Sequence, residues 1–316
     1  MEIIEFTRLS THRQPDGCVV TSGNFDGVHL GHRALLHAAA ERANRLGIPL
    51  ITLTFEPHTR HFLDPSGGPR LLTTWAERAQ LLKDAGTVPL TLRFDDEVRR
   101  LAPQEFVRHL IDDLGAKELV LGFDNRFGRG AAGSAEGMTP YCVSRGVPLS
   151  VVGPLMYGDH PISSTRIRDA LSEWGRFDDA LAMLGGPWRL IGEVVHGDGR
   201  GRQIGFPTAN LEPVSPRKLL PASGVYAGLL SWEGMTAQPA VVNIGTAPTF
   251  ERGIRVVEVH VPGDNGPGPG PDYGQICRLD LYFPLRKECR FESLDALRAQ
   301  IGRDAETARE MVSRLS

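Results

Sequence analysis

Gly23-Asn24-Phe25-Asp26-Gly27-Val28-His29-Leu30-Gly31-His32 decides how this chain is read. Before it runs a short β-like segment, Gly17-Cys18-Val19-Val20-Thr21. After it comes a helix whose apolar positions include Leu35, Leu36 and Ala39. A strand that turns through glycines into a helix aims backbone N–H groups and the positive helix end at one point, which makes an anion site. His29 and His32 stand three residues apart at that helix mouth, spaced to flank one phosphate and donate hydrogen bonds to it. An ordinary βα turn with two surface histidines is the plain alternative. The glycines, the imidazoles and the strand–helix context together favour phosphate chemistry.

From residue 17 to about 185 the same grammar repeats. Apolar runs predict strands over 48–55, 88–94, 118–122 and 147–152. Helical spacing covers 75–85, 103–114 and 136–145, the last interrupted by Pro140. Repeated βα units imply a parallel sheet with helices on both faces, and ligands then bind at the carboxyl ends of the strands. After Leu184-Gly185-Gly186-Pro187 glycine and proline punctuate short strands, over 188–196, 224–232, 239–244, 255–261 and 276–283. That pattern predicts an antiparallel barrel. Ser293 serves as N-cap of a helix over 294–301, with a further helix from Asp304. The glycine- and proline-rich stretch 262–271 reads as a flexible loop rather than part of a strand. The expected fold class is α/β: a Rossmann-like parallel-sheet domain over 1–185, then a β-barrel domain with a helical tail over 186–316.

With 316 residues the chain is long enough for both, at roughly 150 residues per domain. A hydrophobic fraction of 41% and a charged fraction of 23% match an ordinary soluble protein. The net charge of −3 gives no electrostatic pull toward nucleic acid or an anionic membrane. No basic segment with an apolar core opens the chain, and no apolar run approaches the ~20 residues of a membrane span. Cys18, Cys142, Cys277 and Cys289 form no CxxC pair, so a reducing cytoplasm is expected and a disulfide framework or zinc site is not. His58 and His61 lack a metal-site context and read as a polar loop. A homo-oligomer is compatible with the sequence, which does not fix the oligomeric state.

The histidine stretch resembles the signature of the HxGH nucleotidylyltransferases, and within them the bacterial bifunctional riboflavin kinase/FAD synthetases. The resemblance recurs at Ile162-Ser163-Ser164-Thr165-Arg166-Ile167-Arg168 and at Gly197 to Asn210, and runs in order over essentially the whole chain. It implies an FMN adenylyltransferase domain followed by a riboflavin kinase domain. Riboflavin and ATP would give FMN, and FMN and ATP would give FAD with release of pyrophosphate.

For adenylyl transfer, the resemblance implies that His29 and His32 stabilise charge on the transferred group while Ser164, Thr165 and Arg166 hold the departing phosphates. Hydroxyls and N–H groups at a helix start suit that task; a capped helix with solvated arginines is the alternative. Gly23, Asn24, Phe25, Asp26 and Gly31 complete the nucleotide turn. Asn24 and Asp26 are equally suited to touching substrate and to fixing the turn. Phe55-Glu56-Pro57-His58 also resembles a family segment, with Thr59 where a second proline is usual. Gly122-Phe123-Asp124-Asn125-Arg126-Phe127-Gly128 departs from the pattern, because the family has an aromatic where this chain has Asn125. Asp124 and Asn125 are the flavin-binding candidates of this loop.

Gly197-Asp198-Gly199-Arg200-Gly201-Arg202-Gln203-Ile204-Gly205-Phe206-Pro207-Thr208-Ala209-Asn210 is not a Rossmann turn, since Phe206 and Pro207 fall where its helix should start. Nor does it end in the Gly-Lys-Ser/Thr of a Walker loop. It resembles the riboflavin kinase signature, which implies that Gly197, Gly199, Arg200, Gly201, Gly205 and Pro207 belong to the ATP-phosphate loop. Thr208 and Asn210 would bind Mg²⁺, their oxygens suiting a hard cation held mainly through substrate phosphates. Turn chemistry is the alternative for both. Glu258, in Val256-Val257-Glu258-Val259-His260, takes the family's general-base position, against a strand glutamate that merely faces water. The segments 243–250 and 282–291 also match near this site. Two other readings stand beside the bifunctional one: a kinase-only relative with a weakened adenylylation site, and a flavin-binding regulatory paralogue.

Overall fold

The computed structural model describes residues 2–197, 200–246, 255–263 and 266–315, so Asp198, Gly199 and the 247–250 part of the 243–250 segment lie outside the described residues. The chain divides into two compact units, Met1–Ser164 and Thr165–Ser316.

The first unit is built on a parallel sheet of six strands: β1 (Ile3–Ile4), β2 (Cys18–Ser22), β3 (Leu50–Glu56), β4 (Val88–Arg93), β5 (Ala116–Gly122) and β6 (Leu149–Val152). Their order is β1-β4-β3-β2-β5-β6, with every neighbouring pair parallel. All five residues of β2 are buried, as expected of a strand covered on both faces. One face packs with α1 (Leu30–Leu46) and α2 (Trp75–Asp84), through Leu35, Leu36, Ala39 and Leu82. The other packs with α3 (Pro103–Asp112) and α4 (Ala135–Ser144), through Phe106, Val107, Leu110 and Met138. The chain winds outward from β2 to β3 and β4, then crosses back to β5 on the far side of β2. That reversal opens a crevice at the carboxyl ends of β2 and β5.

The second unit begins within α5 (Ser164–Ser172), followed by α6 (Phe177–Leu184). Its body is a closed barrel of β7 (Trp188–Val195), β8 (Ala209–Pro213), β9 (Gly224–Trp232), β10 (Met235–Thr246), β11 (Arg255–His260) and β12 (Ile276–Arg286). The cyclic order is β7-β8-β11-β10-β9-β12, antiparallel throughout. Closure leaves no sheet edge unpaired. Residues before Gly185 belong to this unit by packing: Ala222 N donates to Leu171 O at 2.7 Å, and the Trp174 and Phe177 rings lie 5.2 and 4.9 Å from that of Tyr226. α7 (Leu294–Ser313) covers the outer face of β9 and β10, with Ala305, Ala308 and Val312 against Val225, Ala227 and Val241.

Three local expectations change. The tail is one helix, not two: Asp304 is buried, accepts from Gln300 Nε2 at 2.8 Å and pairs with Arg286 at 2.9 Å, which ties the turn around Gly302 into the fold. Pro262–Gly263 pairs antiparallel with Gly266–Pro267, so the first part of the glycine- and proline-rich stretch forms a short ladder. The kinase-like motif runs directly into β8, a sixth barrel strand hidden because its sequence Ala-Asn-Leu-Glu-Pro buries a single side chain.

Candidate active sites

In the first unit, α1 is capped by a histidine. His29 Nδ1 accepts from His32 N at 3.3 Å, which places the proton of the neutral His29 ring on Nε2. The two imidazoles stack with centroids 3.6 Å apart and planes 16° off parallel. The Phe25 ring meets His32 edge-on at 5.2 Å. Gly31 makes the stack sterically accessible: a Cβ there would stand 3.3 Å from His29 Nδ1 and Cε1. Burial holds His32 well below the ordinary histidine range, and the neighbouring His29 adds to the shift. Its buried Nδ1 has no hydrogen-bond partner among the described residues, a state that a phosphate oxygen would relieve once that nitrogen carries a proton.

The residues around the stack are held by long-range bonds. Asp26 is buried, and its carboxylate accepts from Leu72 N at 3.1 Å, Thr73 N at 2.9 Å and Thr73 Oγ1 at 3.1 Å. Thr73 Oγ1 in turn accepts from Gly27 N at 2.9 Å. Asn24 Nδ2 donates to Thr59 Oγ1 at 2.9 Å, and Thr59 N donates to Asn24 Oδ1 at 3.4 Å. A proline at 59 could give neither bond, so the unusual threonine has work to do here. Gly23 N donates to Leu53 O at 3.0 Å, and Phe25 is buried with φ +49°. Asn24, Asp26 and Phe25 thus brace the turn that carries the histidines.

A cavity of about 120 Å³ opens beside this turn, lined among others by His29, His32, Phe123, Asp124, Leu155 and Ser164. Ser164 opens α5 and donates from Oγ to Asp26 O at 2.8 Å. In the next turn positions Thr165 is exposed and Arg166 half-buried. Asp124 reaches the cavity, whereas the Asn125 amide donates to Ser22 O at the end of β2. Sequence reasoning passed over Phe123 and Leu155, which wall the cavity although both are exposed. Apolar residues at strand ends carry no distinctive spacing. The Asp26–Thr73 clamp was equally hidden, because it joins positions far apart in sequence.

In the second unit Gly197 follows β7, while Arg200 and Gly201 lie in the short helix Arg200–Gln203. Gly205 is exposed with φ +85°. A Cβ at Gly197 would collide with the Asn210 side-chain amide, so glycine lets the loop backbone close onto that group. Pro207 O accepts from His260 Nδ1 at 2.9 Å. Burial lowers the His260 pKa, against the opposing effect of that bond. Thr208 is exposed, just before β8, and Asn210 lies in it. Strand register then sets Asn210 opposite Glu258 on β11, and Glu258 opposite Asn243 on β10. Directly opposed residues share a face, so the loop, Asn210 and Glu258 are brought together on the outer surface of the barrel. Among the described residues no group of three or more His, Cys, Asp or Glu is placed to hold a metal ion.

A helix mouth armed with imidazoles in one unit, and a glycine loop beside a carboxylate in the other, define a nucleotide-dependent transferase with a site in each half. Comparison with known proteins gives the particular family. Residues 11–166 match the FAD synthetase family model and residues 184–312 the riboflavin kinase model. The chain is 38% identical to the bifunctional riboflavin kinase/FMN adenylyltransferase of Escherichia coli K12, over 98% of this chain and 97% of that one. It is 36% identical to the protein of the same description from Pseudomonas fluorescens, over 94% of each. A solved structure described as a macrolide-efflux protein from Streptococcus pneumoniae superposes with a TM-score of 0.86 at 31% identity, covering 98% of this chain and 99% of that one. No helix among the described residues is long and apolar enough to cross a membrane. The chain belongs to the bifunctional riboflavin kinase/FMN adenylyltransferase family.

Proposed function

We propose that this protein makes FAD in two steps, phosphorylating riboflavin with ATP to FMN and adenylylating FMN with a second ATP. The observation that carries the reading is that each family match lies over its own phosphate-directed arrangement, the stacked histidines in one unit and the Glu258 row in the other. The functional domains are residues 1–185 and 186–316, with α5 and α6 counted in the first by sequence although they pack with the second unit. Fragments starting at 165 and at 186 test that division, since only the first keeps the Trp174 and Phe177 contacts with Tyr226.

In adenylyl transfer an oxygen of the FMN phosphate attacks the α-phosphorus of ATP, and the bond to the β-phosphate oxygen breaks to release pyrophosphate. His29 and His32 donate hydrogen bonds to the oxygens where charge builds, from positions fixed before substrate arrives. Ser164, Thr165, Arg166 and the N–H groups opening α5 hold the departing pyrophosphate. Asp26, Asn24 and Phe25 keep the turn rigid, Gly23 and Gly31 let the backbone and rings approach, and Asp124 meets the flavin side. No covalent intermediate is required; positioning and electrostatics supply the rate.

In the kinase step the riboflavin 5′-hydroxyl attacks the γ-phosphorus, its proton passes to the Glu258 carboxylate, and ADP leaves. The loop carrying Gly197, Gly199, Arg200, Gly201, Gly205 and Pro207 covers the ATP phosphates. Thr208 and Asn210 offer neutral oxygen donors close together in sequence, the donor chemistry of a Mg²⁺ ion held chiefly by nucleotide phosphates. When bound, such an ion offsets charge on the transferring phosphoryl group. The protein acts on small molecules in the cytoplasm. Burial raises the Cys18 thiol to about 12 and that of Cys277 to about 11, so neither is a reactive thiolate. Incubation with riboflavin, ATP and Mg²⁺ followed by product separation tests the whole reading: FMN and then FAD must appear, and the appearance of FMN alone establishes the kinase-only alternative.

A further inference from the structure

On β11 the burial alternates: Val257 and Val259 face the barrel interior at 1% exposure each, and Glu258 between them faces outward, half-buried. Its cross-strand neighbours on that outer face are Asn210 and Asn243. The two amides have different surroundings. Asn210 lies beneath Gly197 of the nucleotide loop. Asn243 is opposite Val225, one of the apolar residues covered by α7. Asn243 therefore stands at the border between the apolar patch under the tail helix and the Glu258 carboxylate. By the pattern of β10, where Val241 on the same face packs under α7, an apolar side chain would fit at 243. Instead Asn243 Nδ2 donates to Glu258 Oε2 at 3.4 Å.

We propose that Asn243 is the positioning residue of the kinase base: its amide holds one carboxylate oxygen of Glu258, turning the other toward the substrate hydroxyl. The inference rests on Glu258 being the base. A carboxylate on a strand has two free side-chain torsions before its terminal one, and a fixed donor on the neighbouring strand removes most of that freedom. Orientation of this kind acts on turnover rather than on affinity, because it matters only as the proton is transferred. Among the described residues, ionisable groups near the row include His260 on β11, bonded to Pro207 O, Glu212 beyond Asn210 on β8, Glu288, whose carboxylate overlies Gly245 on β10, and Arg286 on β12, opposite Val225 and paired with Asp304.

The test is a mutant cycle of N243L, E258Q and the double variant in the full-length protein. N243L is expected to lower kinase kcat by roughly 10–10²-fold, the usual scale for a hydrogen bond to a charged group. KM for riboflavin and ATP should stay within about threefold, so the loss falls on turnover and not on binding. Adding N243L to E258Q should cost nothing further, since Asn243 acts only through that carboxylate. Adenylylation of supplied FMN reports that each variant is folded in the first unit, and riboflavin binding reports on the barrel. An equal cost of N243L in both backgrounds, wild-type kcat in N243L, or a loss that appears in KM and not in kcat, overturns the proposal. Wild-type turnover in E258Q instead overturns the base on which it rests, a separate failure read from a separate variant.

Discussion

The two sites reach similar chemistry by different construction. The histidine site is gathered at a helix mouth and locked by bonds from distant chain segments, with Asp26 fastened to Leu72 and Thr73 and Asn24 to Thr59. The proposed kinase site is laid out by strand register, with Asn210, Glu258 and Asn243 in one row across three strands. In the first, a change in a bracing residue propagates to the turn. In the second, closure of the barrel fixes the backbone, and each side chain can be replaced with little effect on its support. Chemistry at the first site is therefore sensitive to fold stability, and chemistry at the second is sensitive to individual side chains.

The largest expected effect belongs to the register-built site. E258Q keeps the shape of the row but cannot accept the proton, so FMN formation should fall by roughly 10²–10⁴-fold, measured as kinase turnover at saturating substrates. Conversion of supplied FMN to FAD should persist. Next comes the helix mouth: H29A should reduce FAD formation by about 10²–10³-fold, the usual cost of losing one preorganised donor, and spare FMN formation. An H29A protein that is folded and makes FAD at the wild-type rate removes that residue from the mechanism.

A bracing residue sharpens the contrast further. D26A removes a buried carboxylate together with its bonds from Leu72 N, Thr73 N and Thr73 Oγ1. The first unit should lose at least about 2–3 kcal/mol of stability, on the scale of charge-assisted bonds. Denaturant unfolding followed by probes in each half should show the loss confined to that unit, with kinase activity kept.

The smallest effect is a pH dependence. Burial sets His32 below its ordinary value of 6.5, so as pH drops the unfolded chain takes up the proton first. Its contribution to stability is full above about 6.5 and declines as pH falls from there toward the folded value. Melting of the first unit from pH 7.5 to 5 should show that decline, flattened in H32Q. A slope that H32Q leaves unchanged points to other groups.

The sequence disclosed what repeats locally. β2, the glycine turn and α1 follow from adjacent residues, and the alternation of Val-Val-Glu-Val-His announces a half-covered strand. Position in a row across strands is different, because Asn210 and Asn243 meet Glu258 only once the pairing of β8, β11 and β10 is known. β8 itself escaped notice because its five residues bury one side chain. Substitutions that break the family pattern were visible, but their meaning was not. Thr59 completes the Asn24 bonds and Asn125 fastens to Ser22 O, partners brought close by the sheet rather than by the chain.

The independence of the two sites is open to one direct measurement. H29A and E258Q proteins are each supplied with riboflavin, ATP and Mg²⁺, alone and mixed, and the flavins are separated by chromatography. H29A alone should accumulate FMN, E258Q alone should leave riboflavin nearly untouched, and the mixture should produce FAD. Loss of FMN formation in H29A, or a mixture that makes no FAD although each variant keeps its own half-reaction, would contradict two self-sufficient sites.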